Sequence, residues 1–319
     1  MVEEKIRSVF KLGETLVMSL PKSWTEDVQV KKGDKLIVRM EKDKSLHLLP
    51  RDGFSHNTET DIQVNGTVNG LDLERKIIAK YVDGFSLINI KSSQGLTPKH
   101  HTIIRDSLNK LFGLHIIDMT NTQIVLQSLL NPSELPIHKG IERTNALASS
   151  MLEGALDALA NADPIMATNI LKMRSDLESF HYLVLRQLRS SLLSNNILRR
   201  LNIDPIDSLD YLTVSQIIIR VARRSEQILK DVIAVKKFTL PPDIMEAITS
   251  FGKDALAIYQ QSVNTFIDYD NSSSPKDIGI TQTKLNTAAL TLNRRLAEAR
   301  EEGVPCEVMC HVIQIVDCI

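Results

Sequence analysis

Residues 7–38 carry the stretch Arg7-Ser8-Val9-Phe10-Lys11-Leu12-Gly13, then Leu16-Val17-Met18-Ser19-Leu20-Pro21-Lys22-Ser23-Trp24, then Val30-Lys31-Lys32-Gly33-Asp34-Lys35-Leu36-Ile37-Val38. Short apolar runs (Leu16–Met18, Leu36–Val38, and Leu46–Leu49 further on) separated by Lys32-Gly33-Asp34 and Glu41–Lys44 have the form of strands punctuated by turns. Pro21 followed by Ser23–Val28 adds room for one helical turn. A segment of this length cannot bury a core alone. It needs a partner, and a second copy of itself is the simplest one.

Residues 1–50 hold ten Lys or Arg against eight acids, a surplus of two. Doubled in a symmetric dimer, that surplus can present a basic face to phosphates. Arg7, Lys11 and Lys22 are the leading candidates for DNA contacts, with Lys31 and Lys32 next. The alternative is that these cations are the solvated face of a hairpin domain used only to dimerise. Trp24 is expected to pack inside rather than stack on a base.

The totals point the same way. The chain has 319 residues, 43% apolar and 24% charged, which suits a soluble multidomain protein. Aromatics are only 4%, favouring helix-on-helix cores. The net charge of −1 offers no global attraction to nucleic acid, so such binding must be local. Residues 1–10 carry four charges and no apolar run, so no signal peptide is expected, and no apolar stretch approaches the ~20 residues that span a bilayer. Cys306, Cys310 and Cys318 form no disulfide framework, which fits a cytoplasmic protein.

Outward from the N-terminus, residues 51–60 read as a polar linker and 60–130 as an α+β module. Within the module the pattern predicts strands over Asp61–Val68, Phe85–Ile90, Leu114–Met119 and Gln123–Leu129. Helices are predicted over Leu71–Val82 and Lys99–Phe112, the second closed by Gly113. His100-His101 reads as a solvated helix start.

From residue 136 to 319 the period is helical. Met166, Ile170, Met173, Leu177, Phe180 and Val184 recur at alternating spacings of four and three, as do Val214, Ile218, Val221, Ser225, Ile228 and Val232. That spacing marks the seams of antiparallel helices. Breaks at Asp163-Pro164, Asp204-Pro205, Pro241-Pro242, Ser274-Pro275 and Gly303–Pro305 give five long helices and one short one, in two three-helix units. The second unit ends on an apolar run at Ile319 and is expected to be cut short.

The N-terminal pattern, with its Leu20-Pro21-Lys22-Ser23-Trp24 and Lys32-Gly33-Asp34, resembles the AbrB/SpoVT-type swapped-hairpin domain over about 45 residues. That resemblance implies two chains interlacing hairpins into one barrel that reads DNA as a dimer. The helical part, through Ile137–Asp157, Met173–Glu178, Leu185–Leu188 and Leu209–Leu212, resembles the PhoU family. Joined to a module containing Tyr81-Val82-Asp83-Gly84-Phe85, the whole resembles archaeal phosphate-uptake regulators. The expected fold is multidomain α+β: a swapped-hairpin domain (1–50), an α+β linker module (60–130) and PhoU-like helical bundles (136–319).

The function implied is a DNA-binding transcription regulator of phosphate uptake, with the bundle as sensor or docking platform. The alternative is an adaptor acting on a phosphate transporter or kinase. PhoU bundles are expected to carry an E-R-I-[GA]-D motif for iron or zinc. The aligned Ile219-Arg220-Val221-Ala222-Arg223 lacks both acids, and a guanidinium is no ligand, so no metal is expected. Cys306, Cys310 and His311 have acceptable metal spacing but read as core filler in an apolar helix.

Residues 186–237 hold ten bases against five acids, the most basic part of the chain. Arg220, Arg223 and Arg224 share a helix face and could hold phosphate as planar paired donors. Otherwise they form a solvated face, or pair with Glu226 and with acids of a partner chain. No catalytic triad, phosphate loop or nucleotide fingerprint is present, so no enzymatic activity and no cofactor are expected.

Overall fold

The structure is a computed structural model that describes residues 6–40, 44–50, 59–64, 70–130, 135–193, 195–234, 241–268 and 275–301. The chain divides into two compact units, Met1–Asn57 and Thr58–Ile319. It is multidomain α+β: β-hairpins lead, and the larger unit is mostly helical.

The first unit contains two antiparallel hairpins. β1 (Val9–Leu12) pairs with β2 (Thr15–Met18), and β3 (Leu36–Met40) pairs with β4 (Leu46–Pro50). Between them lies the six-residue helix α1 (Lys22–Asp27). The β1–β2 loop has two residues and Gly13 at φ +65°, a conformation open to glycine at the first position of a tight hairpin turn.

Strand register decides which side chains share a face. On β3–β4, Leu36, Val38, Met40, Leu46 and Leu48 line one face, while Arg39 and His47 lie on the other with Ile37 and Leu49. Val38 is 59% and Met40 76% exposed, and no described residue of this unit is buried. Trp24, expected inside a core, is only half-buried. Among the described residues of this unit, nothing covers that apolar face.

The second unit begins with a four-stranded sheet ordered β5 (Glu59–Gln63), β6 (Leu87–Lys91), β8 (Gln123–Ser128), β7 (Leu114–Met119). β5 and β6 are parallel and are joined through α2 (Gly70–Val82); the other pairings are antiparallel. Ile62, Ile88, Ile90, Ile124 and Leu126 share a core with Leu73, Ile77 and Tyr81 of α2 and Ile104 of α3 (Pro98–Leu108). On the opposite face the Asn89 amide donates to Glu59 at 2.6 Å and Asp61 at 3.1 Å, beside a 2.7 Å Lys91–Asp61 ion pair.

Three local expectations are corrected here. The first strand starts at Glu59 rather than Asp61 and ends at Gln63, with 65–69 outside the described residues. α3 stops at Leu108, and Gly113 (φ +70°) instead shapes the turn into β7, where an added Cβ would lie 2.4 Å from Leu130. His100 is buried, not solvated: its ring Nδ1 accepts the Thr97 N–H while Thr97 Oγ1 accepts the His100 N–H, a reciprocal cap.

The helices that follow are α4 (Ile137–Ala160), α5 (Pro164–Leu171), α6 (Met173–Leu193), α7 (Asn195–Leu201), α8 (Pro205–Ala234), α9 (Pro242–Ile267) and α10 (Pro275–Glu301). Among the described residues five are long, as expected, and two are short, α5 and α7 dividing the helix expected between Pro164 and Asp204; the short helix expected after Gly303–Pro305 lies outside the described residues. Asp163 caps α5 by accepting the backbone N–H groups of Ile165 and Met166. The seam read as continuous from Met166 to Val184 is interrupted at Lys172, between α5 and α6. α4, α6 and α8 enclose one core (Ile141, Met151, Val184, Ile218), and α4, α5, α8 and α9 a second (Leu156, Ala167, Leu229, Ile248).

α6 has two apolar sides. Leu177, Val184 and Leu188 enter the helical core, while Tyr182 and Leu185 pack against the core of the α+β sheet. Arg186, 3% exposed, donates from Nη1 to the carbonyls of Tyr81 and Phe85 and from Nη2 to that of Gly84. Arg189 pairs with Asp83 at 2.7 Å. A cation at the last turn of α2 also suits the helix dipole. The sheet module and α6 therefore belong to one body.

Candidate nucleic-acid interface

The five cations singled out in the N-terminal unit are all exposed, but on different elements. Arg7 precedes β1. Lys11 lies within β1, on the face it shares with Val9, Leu16 and Met18. Lys22 opens α1 and pairs with Glu26 at 3.6 Å; with side chains 87% and 65% exposed, that pair is too solvated to hold the ammonium firmly.

Lys31 and Lys32 sit on a turn built by their neighbours. The Lys31 backbone N–H donates to Asp34 Oδ2 at 2.7 Å, the Asp34 N–H returns to the Lys31 carbonyl at 3.1 Å, and Gly33 takes φ +97°. Gly-Asp here is a scaffold for the two lysines before it. Lys35 and Lys44 are equally exposed. Composition counted both among the bases, but no motif distinguished them. Arg39 is half-buried beside His47 on the second hairpin.

Arg220, Arg223 and Arg224 lie exposed on α8. Glu226, left open above as their partner, is buried and engaged elsewhere. Arg174 bridges it to Glu178, and Lys230 reaches it at 2.6 Å. Arg223 faces His181 closely enough that its charge helps lower that imidazole's pKa. Residues 219–223 offer no carboxylate, and among the described residues no three His, Cys, Asp or Glu gather as a metal site would need. Cys306, Cys310 and His311 lie outside the described residues.

Residues 9–54 match a family model described as antidote-toxin recognition MazE, bacterial antitoxin. No curated protein and no solved structure matches the chain. The match spans both hairpins and the intervening α1, and it supports a DNA-binding regulator domain of MazE/AbrB type at the N-terminus. Among the described residues, no helix is long and apolar enough to cross a membrane.

Proposed function

We propose that this chain is a homodimeric, cytoplasmic transcription regulator that binds DNA through residues 1–50. The observation that carries the reading is a hairpin unit with no buried residue among those described and seven exposed cations, Lys35 and Lys44 joining the five candidates. Pairing with a second copy would cover the apolar face of β3–β4 and double the cations available to phosphates. Strand-based modules are an established way of reading DNA. Arg7, Lys11 and Lys22 are the first contacts in this reading, with Lys31 and Lys32 extending them.

The finer role proposed is control of phosphate uptake, with the helical bundle as sensor or docking platform. Its support is the PhoU-like patterning of residues 136–319 and the exposed arginines of α8, which suit a phosphate-bearing effector. A second reading keeps the hairpins for dimerisation alone and gives the helical unit a transporter or signalling partner. It is favoured by the exposed Leu192 and Leu193 at the end of α6. Measuring duplex-DNA binding by the full chain at two salt concentrations separates them. A regulator binds, and its affinity falls steeply with salt; an adaptor shows no binding at either concentration.

A further inference from the structure

α8 carries two stripes. One is the core seam, with Ser208, Ser215, Ile218, Ala222 and Leu229 buried. The other points outward: Ile206, Asp210, Thr213, Ile217, Arg220 and Arg224 recur at the same alternating spacing of four and three, and all six are exposed. Such a stripe is the seam of a helix pair, yet no helix of the described chain covers it. Ile206 is 73% exposed, and its neighbour Leu209 is 57% exposed. Apolar surface of this kind, grouped rather than scattered, marks an interaction site.

The charges along the outward stripe are sorted. On that stripe Asp210 lies toward the N-terminal end and Arg220 and Arg224 toward the C-terminal end, with Thr213 and Ile217 between. Among the described residues, Asp210 and Arg220 have no ion-pair partner. Reversing the helix about its midpoint at Ser215 maps Asp210 onto Arg220, Thr213 onto Ile217, and Ile206 onto Arg224, whose aliphatic stem can lie along it. The face is its own complement.

We propose that this face of α8 docks antiparallel against the same face of a second copy of the chain. A twofold interface requires that each residue meeting its partner position be met in return. Here that rule makes two oppositely charged pairings, Asp210 with Arg220 in each direction, on either side of Thr213 and Ile217. A partner helix of purely acidic character would satisfy the arginines but would set a like charge against Asp210, so the second copy is the better match. The docking is independent of the DNA-binding reading.

The test uses the full chain with a photo-crosslinking amino acid at position 217. The expected product is a covalent dimer whose crosslink maps to residues 210–217 of the other copy. Asp210→Arg and Arg220→Asp should each lower the yield by about fivefold, two exposed pairs being lost and like charges put in their place. The double variant should restore it. Both positions are exposed, and unchanged thermal melting of each variant keeps a folding defect apart from lost docking. Absence of the crosslinked dimer, a crosslink mapping elsewhere, or single losses that the double variant does not recover would each overturn the proposal.

Discussion

The Arg186 guanidinium lies 4.7 Å from the centroid of the Tyr81 ring and donates to the Tyr81 carbonyl, while the Tyr81 hydroxyl donates to the carbonyl of Phe112 at 2.9 Å. One side chain of α6 thus closes the end of α2 and covers the ring that fills the sheet module's core. Burial pushes the Tyr81 phenol up to about 12, against a smaller opposing effect of the Arg186 charge, so the ring stays neutral at any working pH. Tyr81-Val82-Asp83-Gly84-Phe85 is the receptor for this contact: it supplies the carbonyls, the Asp83 carboxylate and a glycine whose added Cβ would lie 3.0 Å from Ser190 Oγ.

Arg186→Ala should therefore destabilise the larger unit by roughly 3 kcal/mol, because buried carbonyls lose a charged donor and a void opens beside the ring. Urea unfolding measures the cost, and hydrogen exchange should quicken first in 81–91. A cost below about 1 kcal/mol would mean that α6 and the sheet are held by apolar packing alone.

His181 gives the same unit a pH dependence. Its ring is buried with Nδ1 2.9 Å from Ser215 Oγ, and burial, followed by the Arg223 charge, lowers its pKa from 6.5 to about 4. A folded-state value below the unfolded one means that the neutral ring is favoured by folding. The contribution is full above pH 6.5 and is lost as pH falls toward 4, about 3 kcal/mol in all. His181→Asn should flatten the urea midpoint between pH 7.5 and 4.5 relative to the parent. Equal slopes for both proteins would remove His181 as the cause.

The uncovered face of β3–β4 predicts its own effect. Val38→Lys with Met40→Lys places two cations on the apolar surface that a second copy would cover, and should weaken the dimer at least tenfold by sedimentation equilibrium. The same mass distribution as the parent across concentrations would show that this face is not the dimer contact.

How far the sequence carried depends on the range of the interaction involved. The helical seams were legible because Ile218, Ile228 and Val232 sit on a repeating period that any long helix obeys. β1 and its turn at Gly13 were not read as strand and turn, Lys11 breaking the apolar run, whereas the β3 approach was legible through Gly33-Asp34, a local signal. The break at Lys172 was not, since that residue keeps right-handed helical angles and no proline or glycine marks it. His100 escaped because it caps with an imidazole where Glu or Gln is the usual signal. Arg186 carried no signal of its destination: its acceptors lie more than one hundred positions back in the chain. Among the candidate DNA contacts the cations themselves were legible, but not that Lys11 shares a face with three apolar side chains.

If the α8 arginines hold a phosphate-bearing effector, Arg220→Ala with Arg223→Ala should lower the affinity for inorganic phosphate at least tenfold in calorimetric titration, without metal in the sample. Stoichiometric iron or zinc in the purified protein would replace this reading with a metal-dependent one. Phosphate affinity equal to the parent's would leave the arginines without an anion role.

The claim that residues 1–50 bind DNA is tested most directly by the salt dependence of duplex affinity, measured by fluorescence anisotropy for the full chain and for Arg7→Ala with Lys22→Ala. Each cation on a phosphate contributes close to one unit of slope in log K against log salt, and a dimer loses four cations in this variant. The account expects weaker binding and a slope shallower by about four, with thermal melting unchanged because both side chains are exposed. A variant that binds with the parent's affinity and slope, or a parent that binds no DNA at low salt, would contradict it.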